Sequence, residues 1–220
     1  MALKNNSNNN VIYINVLSSD GTFRRAVPEG TAGAVKREYE SRDGKKGTKW
    51  ELIYNEVSGI ISDIQFYKGD YGKNLIITFQ DGEELPVTLS LNTNQNYAED
   101  VMKKLPNIDF ALPVVMKPYS FEDDNKKVRK GMTIWQSGKK IADYFYDTET
   151  KTQKNGAPSP EFKIDPKTKQ RKPFGSAEWK VYFTSLSIFL VEYIENNFIT
   201  KFANNKVAML EAAQEDFENF

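Results

Sequence analysis

Along residues 11–91, apolar and polar positions alternate at period two in short runs split by turn-forming residues, a pattern of strands. The run Val11-Ile12-Tyr13-Ile14-Asn15-Val16-Leu17 is β-rich, and Ser18-Ser19-Asp20-Gly21 predicts a turn before a returning strand over residues 22–27. In residues 34–41, Val35, Arg37 and Tyr39 alternate with Lys36, Glu38 and Glu40. The basic loop 42–47 contains Asp43-Gly44, a pair that favours tight hairpin turns. Residues 49–55 put Trp50, Leu52 and Tyr54 on one face and Lys49, Glu51 and Ile53 on the other, and Leu52 marks the first face as core. Further strands are predicted over 59–67, 75–80 and 85–91, with turns at 70–74 and 81–82. Short strands at intervals of roughly 8–12 residues predict a barrel or sandwich.

The period changes at residues 94–105. Tyr97, Val101 and Leu105 share a helical face, and Pro106 ends the helix. A second β region is predicted over 111–116, 127–136 and 139–146. Residues 151–175 carry Pro158, Pro160, Pro166 and Pro173, with seven basic residues against two acidic ones, and predict a basic, structureless loop. Residues 177–204 form the strongest helix, with Tyr182, Leu186, Phe189 and Tyr193 on one face, extended by Phe198 and Phe202. The Asn-rich residues 1–10 read as a disordered leader with no signal-peptide apolar run. The longest apolar stretch, 181–191, is about half of a membrane span, so a soluble, intracellular protein is expected. Residues 205–220 form an acidic tail that closes on Phe220. The expected organisation is one α+β, mainly β domain over 11–204, containing the loop 151–175 and followed by the tail.

Composition narrows the chemistry. The 30 basic and 30 acidic residues cancel, so an anion site must arise from local segregation of charge. Cys and His are both absent, which removes disulfides, thiolate and imidazole metal ligands, and Cys- or His-based catalysis. The carboxylate pairs and triplets Glu83-Glu84 and Glu122-Asp123-Asp124 sit beside turn signals and read as solvated loops, not Mg²⁺ sites. No phosphate-binding Gly-Lys-Ser/Thr loop occurs. The expectation is a binding protein without cofactor, not an enzyme.

The candidate chemistry is aromatic rings interleaved with cations. Trp50, Tyr54, Phe66, Tyr67, Tyr71 and Phe79 lie among Arg37, Arg42, Lys45, Lys46, Lys49, Lys68 and Lys73. Single-stranded nucleic acid requires both features, rings to stack bases and cations to follow phosphates. Tyr67 and Tyr71 flank the turn Lys68-Gly69-Asp70 and are the better stacking candidates, joined by Trp135. In the basic loop, Lys169, Arg171, Lys172 and Phe174 would clamp the strand. In the tail, Glu215, Asp216, Phe217, Glu218 and Phe220 would engage a partner's apolar pocket and basic rim.

Three stretches carry a family resemblance. One runs from Trp50-Glu51-Leu52 through Val57-Ser58-Gly59-Ile60-Ile61 to Gly72-Lys73-Asn74-Leu75-Ile76-Ile77. The others are Leu89-Ser90-Leu91 with its Tyr97 helix, and the acidic tail ending in Phe. In these, over about half of its length, the chain resembles the single-stranded DNA-binding proteins of tailed bacteriophages, especially large, crAss-like phages infecting Bacteroidetes. The resemblance implies an OB fold, here a five-stranded OB-like β-barrel with extra strands and a long C-terminal helix. It also implies sequence-independent binding of single-stranded DNA in phage replication and recombination in the host cytoplasm, with replication proteins recruited by the tail. The extra strands and the long helix exceed a minimal OB domain and leave a homo-oligomer open. The rival reading is a virion structural or assembly protein, with the long helix as its oligomer interface. A Lys- or carboxylate-based metalloenzyme is the third.

Overall fold

The computed structural model describes residues 11–41, 44–69, 72–82, 84–162, 164–172 and 174–200. The expectations for the leader 1–10, Arg42, Tyr71, Glu83 and residues 201–220, tail included, lie outside these residues. The described chain groups into two compact units where one domain was expected. The first comprises residues 11–101 and 108–141, and the second residues 102–107 and 142–200.

In the first unit, alternation and turn chemistry generate a chain of hairpins. β1 (Ile12–Leu17) and β2 (Thr22–Val27) flank the predicted 18–21 turn. β3 (Val35–Glu40) and β4 (Lys46–Tyr54) form the next pair. β5 (Val57–Gly69), β6 (Gly72–Gln80) and β7 (Val87–Asn92) form an antiparallel meander. Helix α1 (Asn96–Lys104) leads to the hairpin β8 (Val114–Glu122) and β9 (Val128–Gln136), edged by β10 (Lys139–Lys140). The strands make one ten-stranded sheet in the order β10-β9-β8-β5-β6-β7-β1-β2-β4-β3. Its pairs are antiparallel except β1 with β7, which is parallel. The class is therefore mainly β within α+β, as expected, but the sheet is open, with β10 and β3 at its ends, where a five-stranded barrel was expected.

The core lies on one side of this sheet. Ile14, Phe23, Ile64, Leu75, Ile77, Phe79, Leu89 and Leu91 are buried, together with Tyr97, Ala98 and Val101 of α1. Each contributes roughly 1.5–3 kcal/mol of apolar burial for the larger side chains. Polar contacts fix α1 to the second hairpin. Met132 N donates to the Asp100 carboxylate (2.9 Å), and Tyr97 Oη donates to Tyr119 O (3.2 Å). Gly131 permits this approach, because a Cβ there would strike Asp100 and Tyr119.

Two local irregularities displace the expected boundaries. In β5 the register shifts between Ile61 and Asp63, so that inward positions change from Val57, Gly59 and Ile61 to Ile64. β8 was expected to end at 116 but continues through Pro118 to Glu122. The β5–β8 ladder stops at Met116, so Pro118 stands where β8 pairs with β9, and its missing N–H is tolerated there.

In the second unit, β11 (Tyr146–Asp147) and β12 (Thr152–Gln153) form a two-stranded ladder, so the predicted strand 139–146 is reduced to short pieces. Helix α2 (Ser176–Ile194) passes into a π turn, Glu195–Ile199. Phe145 is fully buried, edge-on to Tyr144, Phe189 and Tyr193 at centroid distances of 5.1, 5.3 and 4.9 Å. Burial, with the neighbouring Tyr144 hydroxyl, pushes the Tyr193 phenol up to about 12. The expected structureless loop is partly built. Ile164 bridges Arg171, Asp165 N donates to Gln170 O (2.8 Å), and the Asp165 carboxylate caps Lys167 N (2.8 Å).

Gly21 has φ +66°, and a Cβ there would enter the backbone of Tyr119 and Ser120. Gly21→Ala should cost about 2 kcal/mol or more in urea denaturation. Gly30→Ala, at φ +82° with nothing within 4 Å, should cost about 1 kcal/mol from backbone strain alone.

Candidate nucleic-acid interface

Cross-strand partners share a face, so the registers assign the solvent side of the sheet row by row. One row runs Gln65, Ile76, Ser90, Asn15, Arg24, Ile53 across β5, β6, β7, β1, β2 and β4. The row on one side of it is Asp63, Thr78, Thr88, Tyr13, and the row on the other is Tyr67, Asn74, Asn92. Continuing along β4 and β3, the pairs Glu51 with Val35, Lys49 with Arg37 and Gly47 with Tyr39 belong to the same side.

This side is a floor rich in Asn, Gln, Ser and Thr, with the Asp63 carboxylate and the apolar Ile76 among them and large rings standing on it. Tyr13 is 61% exposed and Tyr67 63%, and Tyr39 and Ile53 are also exposed. A buried-core role is unavailable to such rings, and exposed aromatics gathered on one face mark a contact surface. Charges on the floor itself are largely paired. Arg24 bonds Asp20, and Arg37 makes a two-pronged contact with Glu51 (Nε to Oε2 2.7 Å, an Nη to Oε1 2.6 Å). Glu51 is 4% exposed, and the Arg37 hydrogen bonds hold its carboxyl below the usual range against the opposing effect of burial.

Cations gather at the hairpin ends. Lys68 and Lys73 pair across the β5–β6 end on the face opposite Tyr67, with the Lys73 ammonium 4.7 Å from the Phe66 ring centre. Lys45 and Lys46 are exposed at the end of β3–β4, and the Lys49 ammonium lies 4.9 Å from the Tyr39 ring centre. Lys126, Lys127, Arg129 and Lys130 crowd the end of β8–β9 beside the exposed Phe121. There Asp123 is a turn organiser, accepting from Asn125 N, Lys127 N and Arg129 Nε. Among the described residues no group of three or more acidic side chains is arranged to hold a metal ion. Among them, too, no helix is long and apolar enough to cross a membrane.

The sequence-derived candidates therefore divide. Tyr67 and Lys49 stand on the floor, and Lys45, Lys46, Lys68 and Lys73 at hairpin ends. Trp135 is 38% exposed on β9, opposite Val115. Arg37 is committed to Glu51 and serves the sheet. Lys169, Arg171, Lys172 and Phe174 belong to the second unit. Lys169 is exposed, Arg171 lies 5.5 Å from the Phe162 ring centre, and Lys172 is 3.6 Å from Asp165. Phe174 was expected to stack bases but packs between Phe162 (4.8 Å) and Trp179 (5.0 Å), because the loop has too few aliphatics to build any other core. The Trp50, Leu52, Tyr54 face is not the deep core expected of it. Trp50 and Leu52 are half-buried and Tyr54 is 39% exposed, since β4 lies next to the edge strand. Sequence reasoning missed Tyr13 and Tyr39, although Tyr13 and Asn15 alternate visibly with Ile12, Ile14 and Val16. It also passed over the basic end of β8–β9.

Comparison of the chain with protein-family models, with curated proteins and with solved structures finds no match.

Glu51 is held below its ordinary value in the folded state, so its contribution to stability is present above the unfolded value of about 4.3 and is lost as pH falls through the folded one. Acid denaturation profiles should show Glu51→Gln less stable than wild type at pH 7 by about 2 kcal/mol, with the gap closing below about pH 4.

Proposed function

We propose that this chain binds single-stranded DNA, without sequence preference and without catalysis, along the floor formed by β5, β6, β7 and β1. The observation that carries this reading is the pair of exposed rings, Tyr13 and Tyr67, standing on one face of the sheet among Asn, Gln, Ser and Thr side chains. Rings give stacking that any base can use, and rim cations give phosphate contacts that carry no sequence information.

The topology supports the same reading. The order β9-β8-β5-β6-β7, with α1 inserted between β7 and β8, is that of an OB-type barrel opened between its third and fifth strands. In such barrels the second and third strands and the one–two and four–five loops take oligonucleotides. Here these are β6, β7, the β5–β6 end bearing Tyr67, and the β8–β9 end bearing Phe121. The free edge of the third strand is taken by β1, which adds Tyr13 and Asn15 to the floor. In the phage setting that the resemblance implies, the protein would coat replication intermediates, and the tail residues Glu215, Asp216, Phe217, Glu218 and Phe220 would recruit replication proteins.

Titration with oligo-dT at several salt concentrations, followed by tyrosine and tryptophan fluorescence, tests the proposal. Affinity should fall steeply with salt, at about 0.7 in log–log slope per phosphate contacted. Tyr67→Ala and Tyr13→Ala should each cost about 1–3 kcal/mol with the slope unchanged. Absence of binding at low salt, or binding indifferent to salt, would overturn it.

A further inference from the structure

The strands that lie beyond the OB-type order carry a second arrangement of the same kind. Tyr39 is on the edge strand β3, and its cross-strand partner is Gly47. Gly47 has no left-handed φ to explain it, and glycine weakens a strand interior. Its role is space. A Cβ at Gly47 would meet the Tyr39 ring carbon Cζ and its hydroxyl at 2.7 Å, so the ring lies down on the glycine. A tyrosine laid flat on a sheet offers one face to its own backbone and the other outward. Lys49, two residues along β4, sets its ammonium over the ring, 4.9 Å from its centre, so a base stacking there would displace this flexible side chain toward its own phosphate.

The two faces of this hairpin differ in charge. Arg37, Tyr39, Gly47 and Lys49 point to the floor side, while Glu38 and Glu40 alternate to the other, with Glu40 opposite Lys46. The carboxylates are thus turned from the side on which Tyr39 lies. Arg37 is already matched by Glu51, which leaves Lys49 as the cation beside the ring.

We infer that Tyr39, bedded on Gly47 and accompanied by Lys49, is a second stacking platform for single-stranded DNA, and that the binding track runs past β1 over β2 and β4 to the edge strand. The inference rests on the proposed function and extends its site. From Tyr67 on β5 to Tyr39 on β3 there are six strand-to-strand steps, about 29 Å at about 4.8 Å each, and four rows along the strands, about 26 Å at about 3.3 Å per residue. A strand stacked at about 3.4 Å per nucleotide needs roughly eleven or twelve nucleotides to span that diagonal. Short oligonucleotides engage one platform and longer ones both.

A length series from (dT)4 to (dT)20 on the full chain tests this. Wild-type affinity should climb until both platforms are filled. Tyr39→Leu keeps an apolar side chain on Gly47 but removes the π face. It should lower (dT)4 binding by no more than about twofold, the loss of one of two platforms, weaken (dT)20 binding by roughly 5- to 100-fold, and reach its plateau at a shorter length. Tyr39→Phe should behave as wild type, and Gly47→Val, which lifts the ring, as Tyr39→Leu. Equal affinities of wild type and Tyr39→Leu across the series would overturn the extended track while leaving the Tyr67 site standing. Failure of wild type to bind any oligomer would overturn both readings.

Discussion

The parallel ladder between β1 and β7 makes one face out of two sets of strands. Its register pairs Ile12 with Val87 and Asn15 with Ser90, which sends Ile14 inward against Leu89 and lifts Tyr13 and Asn15 outward. Side chains alternate strictly, so a slip of one residue would bury Tyr13 and expose Ile14. The buried Ile14 and Leu89 fix the register from below, and the floor above inherits it. Gly21 enforces a second constraint, letting the β1–β2 turn come against the backbone of β8.

In a chain of zero net charge, each local ion pair removes one cation and one carboxylate from the surface field. Asp20 takes Arg24, Glu51 takes Arg37, Glu56 takes Lys117 and Asp123 takes Arg129. Most of these pairs are exposed and contribute little to stability, with Glu51 the buried exception. Their larger effect is on the local field around each pair.

Much of the architecture was legible from local pattern. The 22–27 and 127–136 strands, the 18–21 turn and the Tyr97, Val101 helix all follow from periodicity and turn chemistry, which are properties of neighbouring residues. What failed was non-local. Period two says that Trp50, Leu52 and Tyr54 share a face but not how much core lies beneath it, and that depends on β4 being next to the sheet's edge. Nothing near residues 11–17 announces that their partner is the distant 87–92 strand, and without that pairing Tyr13 belongs to no site. That Tyr67, Lys68 and Lys73 gather at one hairpin end was legible because neighbouring residues build that hairpin. Phe174 was misjudged because its packing partners, Phe162 and Trp179, lie on either side of a proline-rich stretch whose path the sequence leaves open.

The one-residue bulge in β5 works as a phase switch. Before it, odd-numbered residues point to the core, and after it even-numbered ones do, so a single strand serves β8 at one end and β6 along the rest without misfacing either. Divergent sequences of this architecture can therefore gain or lose residues freely in the hairpin tips but not here. A gap placed elsewhere in residues 57–69 by an automatic alignment would equate core with solvent, and sequence kinship would vanish from view although the backbone path persisted.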